Sequence, residues 1–583
     1  MFHVKDHKTD YLFEPFGYMG SKRLKRIKES WAGLFREEIL SELPVEELTG
    51  HYDPTQGRPS KEVYAVLGAV LLQQMMDLTD EETIDNFAFN LQWHYALNVT
   101  DESDKGSYLS PKTLWTMRTM IMRDGLAPVI FDRVAEKLKV IFDVNTDQQR
   151  LDSMHIFSNM RHLGRVGLIA QTLRKFMVNL KRQDREEFLA LPEEVRECYM
   201  PKRGEAVFAM VKPSEAQRAL QTLGKDMFEL IERFRQHEKI REMNSYGLLV
   251  RVFGEQFQVE TSDGESLILI NKKVSCDSLQ NPSDPDATYD GHKGKGYQVQ
   301  VLESYSAKKD DNEEAPLLNL ITYVEAQPAH EHDAHTVKKA LEKTRRENRA
   351  PRQILADSLY GGDNNHVDCQ AEGVDLIAPV KTNKTCPNVG LANFSYGAQN
   401  RITACPEGHA PISSQHRKDR HSAWFDSDLC RKCPLREECP VKPGGKGHFI
   451  RYSNKELRLE LRKADEQTPE FREQYRYRAG CEATMSELDR KTGIKHLRVR
   501  GMSAVSLCVY LKATGINIFR AARAWKRPLL PKAVPSRASL RLKRGLDNGL
   551  IAFRSVYMSL RRQIGGLNAI FAPTLRFSPN FAI

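Results

Sequence analysis

A series of short runs with the two-residue period of a strand, set between helical stretches across residues 150–380, constrains this chain more than any other feature. The runs fall at 150–156, 297–301, 318–324, 353–357 and 374–380. Val337, Ala340 and Leu341 give the stretch before the fourth run the spacing of one helical face. Strands alternating with helices build an α/β sheet, here mostly parallel in its later half, whose ligands gather at strand ends.

The flanks read differently. Ser60 can cap a helix bearing Val63, Val66, Leu67, Val70 and Leu71 on one face, and Thr79-Asp80-Glu81-Glu82 has the form of a capping box. Ser110 can cap a third helix with Pro111 as its first residue. Residues 1–140 are therefore expected to form a helical domain for DNA binding or dimerisation. Residues 161–243 are again helical and highly charged, an insertion after the first strand that extends to about 270. The segment from Cys386 to Gly447 is rich in Cys, His and Pro, too irregular for a sheet, and reads as a second insertion. Thr468 and Pro469 then start one long helix that Gly493 ends. The main body spans 145–520, and 521–583 is a basic, partly unstructured tail.

With 583 residues, several domains or large insertions are expected. The net charge of +10 is compatible with a polyanionic partner. Apolar stretches such as 63–72 are too short to cross a bilayer, and the first residues mix both charge signs. The expectation is a protein without a membrane span that stays inside the cell, where its ten cysteines do not form a disulfide framework.

Asp152 and Asp357 stand at or near the ends of two strand runs, and Glu482 lies inside the helix that Gly493 ends. A cluster of three carboxylates can hold two Mg²⁺ ions about 3.5 to 4 Å apart around a scissile phosphate. Tyr475, Arg478 and Glu482, at spacings of three and four, share one helical face, and Asp489 and Arg490 return to it. A basic residue beside the acids can hold the phosphate. An isolated Asp at a strand end is more often a turn carboxylate, so spacing alone leaves the triad open.

Leu151-Asp152-Ser153-Met154-His155-Ile156, then Ile354-Leu355-Ala356-Asp357-Ser358-Leu359-Tyr360-Gly361-Gly362, and finally Tyr475-Arg476-Tyr477-Arg478-Ala479-Gly480-Cys481-Glu482 resemble, in order, the three acidic motifs of DDE transposases encoded by bacterial insertion sequences. Residues 284–297 and 321–329 are similar to the family's second and third strands, and 57–97 to the helical domain before its core. The resemblance implies a ribonuclease-H-like mixed sheet with flanking helices, interrupted by insertions and preceded by an all-α domain. It also implies cleavage and strand transfer at the terminal inverted repeats of double-stranded DNA, with Mg²⁺ (or Mn²⁺ in its place) held by Asp152, Asp357 and Glu482. Target DNA, a homodimer in the synaptic complex and a location with the bacterial nucleoid follow from the same resemblance. A nuclease without strand transfer, or an inactive DNA-binding descendant, are the alternatives. One departure is clear: the family places a Lys seven residues after the Glu, where this chain has Asp489, leaving Arg490 or Lys491 to contact phosphate. Asp286 is a rival carboxylate.

Cys430 and Cys433 have the two-residue gap of a zinc pair, with Cys439 after them and Cys405 upstream. His409, His416 and His421 compete with Cys405 as the fourth ligand of a structural Zn²⁺. The helical N-terminus and the basic segments 161–185 and 520–544 are candidate DNA contacts.

Overall fold

In the N-terminal region, side-chain caps decide where helices begin. Helix Val63–Met75 is started by Glu62, whose carboxylate accepts from Tyr64 and Ala65 N–H. Ser60, the cap expected from sequence, instead receives the His3 N–H at 3.0 Å. The Thr79–Glu82 capping box forms and opens Asp80–Phe89. That helix stops there because Asn90 caps the next one, Leu91–Ala96, so Leu91 belongs to a new element. Ser110 caps Pro111–Arg123 as expected, and Leu126–Ile141 completes the bundle. Val66, Val70, Leu114, Ile121 and Val134 are among the residues of its shared core. This computed structural model describes residues 2–9, 11–53, 56–57, 59–200, 211–262, 265–306, 318–381 and 389–525.

The chain then enters β1 (Gln148–Phe157). The charged segment after it is helical, as expected, with Arg165–Gln183, Ala216–Phe234 and Asn244–Gln256 as its longer members. These enclose their own core around Phe176, Leu223, Met227, Phe234 and Leu249. A hairpin of β2 (Phe257–Ser262) and β3 (Glu265–Ile270) closes the insert. The sheet resumes with β4 (Thr288–Asp290), β5 (Gly294–Ser304), β6 (Ile321–Pro328), β7 (Gln353–Leu355) and β8 (Asp375–Ile377). Its order is β6-β5-β1-β7-β8, with short β4 pairing the start of β5. β1, β5 and β6 are antiparallel neighbours, whereas β7 and β8 run parallel to β1.

Helices cover both faces. Met154, Ile156, Val299 and Val301 pack with Leu488 and Val509 on one side. Leu151, Leu302 and Ile354 pack with Val337, Ala340 and Leu341 of helix Thr336–Arg346 on the other. A mixed sheet of this order, clad by helices and preceded by an all-α region, is a ribonuclease-H-like core.

Several boundaries differ from those expected. The last strand is only Asp375–Ile377, because Pro379 has no N–H to extend a ladder. The segment before Gly447 is not too irregular for a sheet: Ser413–Arg417, Arg420–Phe425, Gly447–Ser453 and Lys442–Gly444 form a four-stranded one. Its start at Cys386 lies outside the described residues. Helix Met502–Trp525 is long and apolar enough to cross a membrane by length and composition, contrary to the reading of the apolar stretches. Its apolar surface is instead buried: Val505, Val509 and Ile516 face the sheet, and Leu507, Leu511 and Ile518 face the N-terminal helices. Asn517 donates to the Ile321 carbonyl at 2.9 Å and accepts its N–H at 2.8 Å, fixing the helix to β6. Residues 521–525 of the expected tail thus belong to this helix, and the rest of it lies outside the described residues.

Candidate active site

Alternation along β1 puts Asp152 on the same face as Met154 and Ile156, toward the helix that carries Glu482. Its Oδ1 accepts the Ser153 N–H at 2.9 Å, and its Oδ2 accepts Arg478 Nη2 at 2.9 Å. Burial pushes the Asp152 carboxyl above its ordinary range against the pull of Arg478, and the negative charges of Asp357 and Asp333 push the same way as burial.

Asp357 follows β7, whose parallel register with β1 pairs Arg150 with Leu355, so Asp357 falls at the level of Asp152, which sits inside β1 and not at its end as expected. The Asp357 Oδ1 accepts the Leu359 N–H at 2.8 Å and tightens the turn. Gly361 passes so close to the strand that follows that a Cβ there would lie 2.3 Å from the Pro379 carbonyl oxygen. Buried Tyr360 donates to Gln300 at 2.5 Å and locks the turn from behind.

The expected single long helix is three pieces: Pro469–Tyr475, a 3-10 turn Arg476–Ala479, and Gly480–Thr492. The Arg150 guanidinium explains the tightening. It lies against Gly480, where a Cβ would fall 1.8 Å from Arg150 Nη1. The same Nη1 donates to the Tyr477 carbonyl at 2.9 Å. Arg150 Nε also donates to Glu303 at 2.7 Å, its cross-strand partner. Glu303 further accepts from Thr484 at 2.7 Å and from Arg520 at 2.8 Å, and Arg520 reaches Glu487 at 2.8 Å. Burial opposes the charge of Arg520, and Glu303 and Glu487 outweigh it. This buried network clamps the helix to the sheet one turn from Glu482.

Arg478 connects the two halves of the site. While Nη2 holds Asp152, Nη1 lies 3.5 Å from Glu482 Oε1. The Glu482 side chain is 74% exposed, whereas that of Asp152 is 14% exposed, so the glutamate is the solvent-accessible member of the pair. Tyr475 packs with Tyr305, Leu355 and Ile377 at the ends of β7 and β8. Burial raises its phenol, Arg478 lowers it, and Asp357 and Asp152 raise it further, which puts it in the field of both aspartates.

Other candidates stand apart. Arg490 is exposed and its Nε returns to the Ser486 carbonyl of its own helix at 3.3 Å. Lys491 pairs with Glu487 at 2.7 Å. Asp286 accepts the Met502 N–H at 2.8 Å and caps the C-terminal helix, a structural task that occupies the rival carboxylate. Arg520, expected to face phosphate, is buried in the network described above. Among the described residues no three His, Cys, Asp or Glu side chains stand close enough to hold a metal ion in this conformation. The donor chemistry nevertheless suits hard cations, with carboxylate oxygens from Asp152 inside β1, Asp357 just after β7 and exposed Glu482, two of which Arg478 contacts.

Arg150, Glu303, Thr484, Glu487 and Arg520 were not found by motif spacing. The signal was there in part: Arg150 and Glu303 are charged residues inside strands whose neighbours are buried.

Residues 404–522 match the family described as the Transposase DDE domain, and residues 27–120 match the Transposase domain (DUF772). Both matches are to transposase domains, and each covers less than half of the chain. The first match takes in the Cys-rich insert from residue 404, Arg478, Glu482 and the helix from Met502 as far as residue 522, and the second the N-terminal helices through Met120. Among solved structures, a piggyBac transposase synaptic complex with hairpin DNA aligns over 88% of this chain and 86% of its own, at 9% identity and a TM-score of 0.28. That likeness is too low to carry an argument. No curated protein matches the chain.

Proposed function

We propose that this chain is a transposase that cleaves and rejoins DNA at element ends, with Asp152, Asp357 and Glu482 as its acidic ligands. The observation that carries the reading is the Arg478 guanidinium, which links Asp152 on β1 to Glu482 on the helix beside the end of β7. Two Mg²⁺ ions, or Mn²⁺ in their place, would activate the attacking oxygen and stabilise the leaving one.

The chain's own residues perform the rest. The two aspartates supply fixed oxygens, since their carboxylates are tied to the Ser153 and Leu359 N–H groups. Glu482 completes the ligand set by turning inward, and Arg478, released from Asp152, gains a phosphate oxygen as its new partner. Tyr475, packed at the ends of β7 and β8, is placed to donate to that phosphate. The terminal inverted repeats, target DNA, a homodimeric synaptic complex and a place with the bacterial nucleoid belong to this proposal.

The test is incubation of the full chain with Mg²⁺ and duplexes carrying the ends of its own element, read for both nicking and joining. Asp152→Asn, Asp357→Asn and Glu482→Gln should each abolish both while leaving DNA binding intact. Nicking without joining to an intact 3′-hydroxyl end would support a nuclease instead, and undiminished nicking by any of the variants would remove that acid from the site.

A further inference from the structure

The insert before Gly447 has a small core. Its buried apolar members are Phe394, Ile402, Ala423, Phe425, Val441, Ile450, Tyr452 and Leu457, with Cys405, Cys430 and Cys439 packed against it. Beside it, Cys405, Cys430, Cys433 and Cys439 all line one cavity of about 30 Å³. They arrive from different elements. Cys405 follows strand Ile402–Ala404 in a tight turn, where Gly408 at φ +83° donates to the Cys405 carbonyl at 2.8 Å. Cys430 sits in helix Ser427–Lys432, Cys433 directly after it, and Cys439 shortly before strand Lys442–Gly444. All four are free thiols.

We propose that these four cysteines bind one structural Zn²⁺ that staples the insert. The sequence left the fourth ligand open among Cys405 and three histidines. His416 and His421 are stacked on each other in the hairpin, 4.6 Å between ring centroids, and His421 hydrogen-bonds Asn454 at 2.9 Å, so neither lines the cavity. His409 and His448 line the same cavity, with His448 Nδ1 3.3 Å from Ser427 Oγ, and the test therefore includes both. The thiols do not stand at ligand spacing among the described residues, so binding must draw them inward, and the cavity leaves room for it. Binding releases the thiol protons to solvent, and Arg436 on the cavity wall offsets the negative charge of a tetrathiolate centre. Four thiolates leave no position for a reactant, so the site is structural.

The proposal rests on the insert alone and stands apart from the DNA-cleavage reading. Its test uses the full chain purified with reductant, zinc measured by elemental analysis, and Co²⁺ exchanged for zinc to read thiolate-to-metal charge transfer. The expected result is one zinc per chain, a cobalt spectrum of four thiolates, zinc kept by His409→Ala and His448→Ala, and zinc lost from Cys430→Ser/Cys433→Ser. If that variant does not fold, wild-type protein still decides. A wild-type chain without zinc that takes up no cobalt from solution overturns the site, and zinc kept by Cys405→Ser but lost from His409→Ala overturns the ligand set.

Discussion

Gly480→Ala should destabilise the protein although alanine is the better helix former. The new Cβ would lie 1.8 Å from Arg150 Nη1 and 2.3 Å from its Cζ, so the guanidinium must leave its place. Leaving means giving up Glu303 at 2.7 Å and the Tyr477 carbonyl at 2.9 Å, in a pair whose side chains are 10% and 2% exposed. Breaking a buried pair costs about 3–5 kcal/mol. The glycine-to-alanine gain in helix propensity returns about 1 kcal/mol, and Glu303 keeps Arg520 as a partner at 2.8 Å. The net expectation is a loss of roughly 2–4 kcal/mol, read as a lower urea midpoint. Arg150→Ala removes the obstacle, so in that background Gly480→Ala should be neutral or slightly stabilising, with a coupling above about 1 kcal/mol. Equal stability of Gly480→Ala and wild type, with Arg150 present, would refute the claim that this glycine exists to admit Arg150.

Further outcomes follow from the same geometry. At pH 8, Arg478→Ala removes the cation that competes for Asp152, so Mn²⁺ binding by calorimetry should tighten about tenfold, equivalent to about 1.4 kcal/mol, while cleavage falls; weaker Mn²⁺ binding would contradict the competition. Because the Asp152 carboxyl is raised above its ordinary value of 3.8 and only its ionised form ligates a cation, Mn²⁺ affinity should be lost on acidification at a higher pH than an ordinary aspartate would give. Arg478→Ala should move that loss higher still, since the guanidinium holds the carboxyl down; a midpoint at or below 3.8 would count against it. Ser110→Ala removes the cap that accepts the Thr113 N–H at 3.2 Å and should cost about 1 kcal/mol in a denaturation experiment.

Much of the core was legible because period-two runs and cap residues are local signals. Residues 150–156 and 297–301 fall inside β1 and β5, and Thr79, Ser110, Thr468 and Gly493 mark helix ends where expected. What was not legible depends on distant partners. Arg520 looked like part of a basic run, yet Glu303 and Glu487, far away in sequence, draw it into the interior. The break at residues 476–479 is imposed by Arg150, which no helical pattern could report. The strand Ser413–Arg417 is exposed at every residue, so it has no apolar alternation to betray it. Ser60 lost the capping role because Glu62 stands closer to the helix start.

Anomalous diffraction from full-chain crystals soaked in Mn²⁺ tests the acidic site most directly. The expected map has manganese between the carboxylates of Asp152 and Asp357, with Glu482 turned inward and Arg478 detached from Asp152. Manganese bound elsewhere, with the Arg478 bridge to Asp152 and Glu482 intact, would contradict the proposed chemistry.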